Sequence, residues 1–533
     1  MSSSTTKSVA VVGGGVAGLV CARELAARGH RVTVFDLGRA APGGRASTRT
    51  TTWRTVQFDH GAQLLSCSSS PAAAPNAAAP SPSSTFPALV DAWRREGLVA
   101  PWGDDTAQAP GRVGVYDATT GAYAPRAVWA ASGGAGAGAV GSATAAAAAG
   151  SAPPAAAPNF FLELVAGATG SSQLPPPRLY VGLPSTDAIC KGLARSLSSP
   201  AADGATTTAT TTTLRQGVGV TRARFDSRAR TWVLEGRAPE KPVRTHTDRR
   251  ATPAYTPWNE GAFDALVLAD RMAGARGTPG FVELEGAGGA AARLSAELSS
   301  VQLSPCLVLM LAYEDVGQSG DGTAAPAASA ALPLDGWDAA AVVGGAGKIA
   351  WVCREDVGKP GRARQDGLQT YVAIATPQFS AEVLARAHSD DPQGLRADGR
   401  RQSDGAWPPQ TPEYLASLVG PMRQALDEAL RPALLRRQEE QRRRTGMGDA
   451  PPLPEPAFAQ VHRWGGAFPV RALGAPCLRA DSSALAACGD FCLGGGVEGA
   501  ALSGQAAAAA VDEMLAAGAG EGDWGAAAVA GRL

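Results

Sequence analysis

The short apolar run Ser8–Val12 stops at three consecutive glycines, Gly13-Gly14-Gly15, and a helical pattern of apolar residues begins immediately at Val16 and continues to Arg28. A second apolar strand, Arg31–Phe35, then ends on Asp36, eighteen residues after Gly18. No other feature of the chain limits its fold so tightly. In a strand–turn–helix–strand unit each small residue serves a distinct mechanical purpose. Gly13 permits the tight turn, Gly15 lets backbone approach a pyrophosphate, and Gly18 lets the helix pack close to the strand. Val16 and Ala17 open a helix whose free amides and dipole can hold phosphate oxygens. Asp36 is placed to accept both hydroxyls of a ribose. Glycines alone would be a weak signal, but glycines, helix, second strand and acid together predict a dinucleotide site.

The remaining sequence excludes more than it assigns. Forty-eight basic residues balance forty-eight acidic ones, so no overall pull toward nucleic acid is expected. No run of eighteen apolar residues offers a membrane span, and Met1–Lys7 is too short to predict a targeting leader, so an intracellular, cytoplasmic setting is expected. Eight cysteines in 533 residues include no Cys-x-x-Cys pair. Cys488 and Cys492 are expected as small fillers of a buried element, and no metal site is expected. Low-complexity stretches at Ser66–Ser84, Ala131–Pro158, Ala205–Thr213, Gly317–Ala331 and Asp390–Pro412 read as loops inserted into an older compact fold. Between them, strands are expected at Arg178–Tyr180, Leu214–Ala223, Thr231–Leu234, Phe263–Leu268 and Cys306–Tyr313, with the second and third forming a hairpin. Helices are expected at Pro421–Arg444 and Glu498–Leu515.

Two further groups of residues carry a resemblance. After the acid come Pro42-Gly43-Gly44-Arg45 and then Phe58-Asp59-His60-Gly61-Ala62-Gln63; near the other end stand Cys488-Gly489-Asp490 and Gly494-Gly495-Gly496-Val497-Glu498-Gly499-Ala500-Ala501-Leu502-Ser503-Gly504. These resemble the amine-oxidase-like FAD family and, within it, the renalase-like branch. Tyr180-Val181-Gly182-Leu183-Pro184 with Ile189-Cys190-Lys191, Trp351 with Lys359-Pro360-Gly361-Arg362, and His462-Arg463-Trp464 with Pro469 extend the likeness along the chain. The resemblance implies that Gly44 and Arg45 run beside the flavin diphosphate and that His60 passes near the isoalloxazine. It also implies that Val220 meets the adenine through its backbone, and that Gly489 and Asp490 contact the ribityl-phosphate region. The helix beginning near Val497 and Glu498 would aim its positive end at the flavin pyrimidine, where reduced flavin carries negative charge. Trp464 is a candidate pocket wall. The sequence departs from the pattern at Gly465-Gly466, where the resemblance leads one to expect an Arg-Tyr pair. No Ser-Gly-Gly-Cys stretch of the kind that attaches flavin covalently is present.

The expected fold is therefore α/β: a glutathione-reductase-like, Rossmann-type FAD domain assembled from residues 5–66, 178–272 and 473–533, with a mixed α+β substrate domain from 67–177 and 273–472. The expected cofactor is non-covalent FAD. The expected activity is that of an FAD-dependent oxidoreductase taking a hydride from a small reduced substrate, of dihydronicotinamide type, with oxygen as acceptor and hydrogen peroxide as product. Amine oxidation and flavin binding with little catalysis are the alternatives. No acid–base pair, zinc spacing or Ser/His/Asp arrangement competes for the chemistry, so the catalytic residues stay unassigned beyond the pocket candidates His60 and Trp464.

Overall fold

A computed structural model of the chain describes residues 6–39, 41–67, 85–103, 112–131, 160–166, 177–198, 212–239, 255–274, 280–314, 331–334, 336–364, 366–386, 410–445 and 453–517. The low-complexity stretches lie almost wholly outside the described residues.

The glycine turn sits at the carboxyl end of an interior strand of a six-stranded sheet with the order Thr213–Gln216, Arg31–Asp36, Ser8–Val12, Ala265–Leu268, Leu485–Ala487, Leu478–Ala480. The first five strands are parallel and the last is antiparallel. Both faces are covered, which is why these strands read as continuous apolar runs rather than as alternating ones. On one face Val9, Val11, Val32, Val34, Val267 and Ala486 pack under the helices Val16–Ala27, Asp187–Ser198 and Gly496–Ala516. On the other, Ala10, Phe35, Leu266 and Leu485 meet a smaller sheet formed by Tyr255–Phe263, Thr231–Pro239, Gly219–Asp226 and Glu283–Glu285. The first and last helices cross backbone to backbone. A Cβ at Gly504 would stand 2.3 Å from the Ala17 carbonyl oxygen, so only glycine allows this approach.

A seven-stranded sheet forms the second layer, in the order Phe458–Pro469, Leu303–Tyr313, Gln369–Ala375, Ile349–Arg354, Ala339–Val343, Val113–Asp117, Ala122–Pro125. Leu307, Leu309 and Leu311 point to one face, under the helices Pro377–Arg386, Pro412–Ser417 and Val419–Thr445. Cys306, Val308 and Met310 alternate to the other face, toward Phe58, Leu64 and the helix Phe160–Ala166.

Three expectations change. The expected strand Leu214–Ala223 is two: Thr213–Gln216 joins the six-stranded sheet, Gly217 turns the chain at φ +72°, and Gly219–Asp226 forms the hairpin with Thr231–Pro239. The helix Phe86–Arg95, assigned to the substrate side, buries Phe86, Val90 and Trp93 against the helices of the Rossmann-type layer. The helix Gly288–Ser300 likewise buries Ala291, Leu294 and Leu298 beneath the six-stranded sheet rather than the seven-stranded one. Neither helix was expected from the sequence, and an apolar stripe on a helix does not say which sheet it covers.

Candidate functional site

A cavity of about 840 Å³ opens where the carboxyl ends of Ser8–Val12, Arg31–Asp36 and Ala265–Leu268 meet. It runs past Gly13–Ala17 and Gly43–Ala46 to a far wall on the seven-stranded sheet. Crevices at this edge of a parallel sheet are where such folds bind nucleotides.

At the near end the glycines differ in what surrounds them. A Cβ at Gly15 would find nothing closer than the Gly43 carbonyl oxygen at 4.0 Å, so the space beside it belongs to the cavity. A Cβ on Gly14 would strike the Asp36 carboxylate at 2.6 Å. Gly18 does not line the cavity; its Cβ would stand 2.0 Å from the Gly13 carbonyl oxygen, so its work is helix-on-strand packing. Asp36 Oδ1 accepts from the Gly14 amide at 3.1 Å, while Oδ2 is buried with no hydrogen-bond partner. Burial raises this carboxyl above its ordinary range against the lowering pull of the Gly14 and Gly38 amides. Asp36 lines the cavity, and a buried acceptor without a donor is an unfavourable arrangement that a hydroxyl donor would satisfy. Val16, Ala17, Gly44, Gly489, Asp490 and Val497 also line this space.

Three sequence-predicted site residues stand elsewhere or do something else. Arg45 lines the cavity, but its fork is engaged with Asp490, with Nη1 donating at 2.6 Å and Nη2 at 2.7 Å, and Nη1 also reaches the Ala467 carbonyl at 2.9 Å. The pair therefore joins the turn at Gly43–Gly44 to the chain at Gly489, across the cavity lining. Val220 is buried in the core between the six-stranded and smaller sheets and does not line the cavity. Glu498 lies on the first turn of the helix Gly496–Ala516 but not on the cavity, and burial pushes its carboxyl up to about 7. At the helix end it is Gly495, Gly496 and Val497 that face the cavity.

The far end brings the two pocket candidates together. Trp464 Nε1 donates to the His60 carbonyl at 2.6 Å, and the two rings lie 5.1 Å apart. His462 completes the cluster, its ring centroid 4.5 Å from His60 and 4.6 Å from Trp464. Arg49 Nη1 donates to His462 Nδ1 at 3.2 Å; since a guanidinium has no acceptor, the imidazole proton must sit on Nε2. Burial, with the neighbouring His60 and Arg49, holds His462 well below its usual pKa, and burial and Arg49 take His60 down to about 3. Both rings are neutral. Gly465 and Gly466 line the cavity where the bulky pair was expected, yet the gap is partly taken up: a Cβ on Gly466 would meet Leu303 Cδ1 at 2.6 Å.

Sequence reasoning missed the support beneath this wall. Asp59, Glu355 and Lys359 are each at most 2 % exposed and form one ionic network with Arg362. Lys359 Nζ reaches Glu355 Oε1 at 2.5 Å, Asp59 Oδ2 at 3.3 Å and Gln63 Oε1 at 3.3 Å; Arg362 bonds both carboxylates. Thr48 and Thr186 hydroxyls donate to Asp59 at 2.7 Å each. Burial alone would raise Asp59, but Lys359 and Arg362 outweigh it and hold the carboxyl far below its ordinary value. The signal was present in Lys359-Pro360-Gly361-Arg362 and Asp59-His60, read only as marks of resemblance. The aromatic pair Phe160 and Phe161, which also lines the far end, was missed too; it follows directly on a low-complexity stretch.

The glycine turn, the acid and the sheet edge define a Rossmann-type α/β protein built to bind a dinucleotide, with its cavity continued onto a second sheet. A family model described as an NAD(P)-binding Rossmann-like domain matches residues 11–76. No curated protein matches the chain significantly in sequence. Similar solved structures include cyclohexylamine oxidase from Brevibacterium oxydans, 13% identical over 96% of this chain and 100% of that one, with a TM-score of 0.49. Putrescine oxidase bound to putrescine is another, 13% identical over 95% of this chain and 98% of that one, with a TM-score of 0.45. Among the described residues no helix is long and apolar enough to cross a membrane.

Proposed function

We propose that the chain is an FAD-dependent oxidoreductase that takes a hydride from a small dihydronicotinamide-type substrate and delivers the electrons to oxygen, giving hydrogen peroxide. The observation that carries this reading is the single cavity that joins Asp36, whose Oδ2 is unpartnered, the open space at Gly15 and the aromatic wall at Trp464. A dinucleotide whose reactive ring reaches the far wall accounts for the whole length. Asp36 would take the ribose hydroxyls, Gly15 and the amides at Val16 and Ala17 the diphosphate, and the helix end at Gly496–Val497 the ring's electron-rich edge. A flavin held there supplies a two-electron acceptor that oxygen can restore.

The protein's own part is positioning and exclusion of water. Trp464, His60 and Phe160 offer flat or apolar surfaces for stacking. Both imidazoles stay neutral, so the wall does not hold a proton or surrender one. That suits a donor losing hydrogen as hydride to become an aromatic cation: one C–H bond breaks, its electron pair leaves with the hydrogen, and oxygen takes those two electrons with two protons, one from the transferred hydrogen and one from solvent. Non-covalent attachment is part of the same reading, since the sequence holds no Ser-Gly-Gly-Cys stretch and Cys306, the cysteine that lines the cavity among the described residues, turns its thiol to the Leu307 and Ala375 carbonyls at 3.7 and 3.8 Å.

Purified protein should be yellow, and acid or heat should release FAD into the supernatant; colour that stays with the precipitate would contradict non-covalent binding. Anaerobic mixing with isomeric dihydronicotinamides should bleach the flavin, and air should restore it with one peroxide per donor. Bleaching by primary amines or polyamines alone would replace this reading by amine oxidation. Bleaching by none of them would leave a flavin-binding protein with little catalysis.

A further inference from the structure

Charge is distributed unevenly along the cavity. The acidic and basic side chains among its described lining residues are Asp36, Arg45, Asp270, Arg271, Arg463 and Asp490. Asp36, Asp270 and Arg271 stand at the carboxyl edge of the six-stranded sheet, and Arg45 and Asp490 are engaged with each other. Arg271 donates to the Val301 carbonyl. Arg463 alone belongs to the far sheet, and strand alternation turns it away. His462 pairs with Val308 and Trp464 with Cys306, both on the cavity face, whereas Arg463 pairs with Leu307 on the opposite one. Its Nη1 donates to the Tyr414 hydroxyl at 3.2 Å, on the helix behind the sheet.

Removing these leaves a far end walled by Phe160, Phe161, Leu303, Ile374, Trp464 and Phe468 with two neutral imidazoles beside it. Phe160 and Phe468 pack with ring centroids 4.6 Å apart, which closes one side of the space. Arg49 bonds His462 Nδ1 at 3.2 Å but does not line the cavity, so an ammonium, carboxylate or phosphate brought here loses its hydration and meets no counter-charge on the wall itself among the described residues; its binding is weakened relative to that of a neutral ring.

We propose that the far end selects uncharged, planar, largely apolar electron donors and rejects both anionic and ammonium-bearing ones. This rests on the reading under Proposed function and narrows its substrate class. It also gives the site a way to release product: a neutral dihydronicotinamide leaves its hydride and becomes a pyridinium cation, which the same apolar wall holds poorly. Oxidation therefore converts a preferred occupant into a disfavoured one.

The test is an equilibrium titration of the oxidised, flavin-loaded protein at pH 7 with three ring compounds of matched size: benzamide, benzoate and benzylammonium. Perturbation of the flavin absorption band reports occupancy without turnover. Benzamide should bind at least about 10-fold more tightly than either ion. Phe468→Arg, which puts a guanidinium on the wall, should reverse the order of benzamide and benzoate. Tightest binding of benzoate or of benzylammonium by the unaltered protein would overturn the proposal, as would a band that none of the three perturbs. Protein that purifies without FAD and binds none when it is added would sink the flavin reading itself, which is a different failure. Should Phe468→Arg not fold, the order measured on the unaltered protein still decides.

Discussion

Single residues separate what the cavity needs from what the fold needs. Gly15 caps one helix and Gly504 lies inside another, but a side chain at Gly15 enters open cavity and one at Gly504 enters the Ala17 backbone. Gly15→Val should therefore leave thermal stability nearly unchanged while abolishing FAD retention. Gly504→Val should lose about 3 kcal/mol or fail to accumulate. Melting temperature and the visible flavin band, measured on the same preparations, distinguish the two; full flavin occupancy in Gly15→Val would mean the loop is misassigned. The histidines give a second residue-scale expectation. With His60 near 3 and His462 held well below its usual value, ¹⁵N-imidazole signals from both should stay in the neutral form from pH 8 to pH 4.5. The flavin reduction rate should carry no ionisation from them across that range. A midpoint above pH 5 for either ring would show that the pocket can hold a proton after all.

At the scale of elements, the helix Gly496–Ala516 and the network around Asp59 carry opposite electrostatic lessons. Glu498 has a folded pKa of about 7, above its unfolded value, so folding favours its protonated form. Its charge weakens the fold progressively as pH rises through 7, and the penalty is absent well below pH 4.5. Glu498→Gln should thus be more stable than the parent at pH 8, by about 3 kcal/mol at most, and nearly equal to it at pH 4. Denaturant titrations at the two pH values check the sign, and a deficit at pH 8 would refute it. The Asp59 network joins the turn at Thr48, the helix start at Thr186 and the loop after Ile349–Arg354. Lys359→Met leaves two buried carboxylates sharing one guanidinium. It should cost about 3–5 kcal/mol, a loss that chemical denaturation would report directly. The first of these elements was legible because glycines at fixed spacing admit few structures. The second was not, because Asp59 and Lys359 are 300 positions apart and a buried lysine looks like a surface one until its partners are known.

Over the whole molecule, the parts legible in the sequence are those where local and global requirements coincide. Ser8–Val12, Val16–Ala27 and Arg31–Asp36 form as their patterns demand, since turn chemistry, helix packing and phosphate access all call for the same residues. The assignment of helices to layers was less legible: Phe86–Arg95 and Gly288–Ser300 each carry one apolar stripe, and either sheet could have received it. The low-complexity stretches pose the reverse question, because they interrupt the chain without contributing to any pattern. The stretch around Gly133–Ala157 lies between the helices Arg126–Ala131 and Phe160–Ala166, and the second of these supplies two aromatic walls of the cavity. Its low content of bulky apolar residues gives it little surface to bury, so the fold should not depend on it. Replacing residues 133–157 with a short Gly/Ser linker of about eight residues, while keeping Phe160 and Phe161, should retain FAD at full occupancy. Shortening the loop should also reduce its closure entropy, a gain of about 1 kcal/mol at most. Flavin content and melting temperature of the shortened chain provide the measurement. Loss of flavin with an intact melting transition would place the stretch at the cavity wall, and loss of both would make it part of the core; either result would overturn the view of this segment as an insertion.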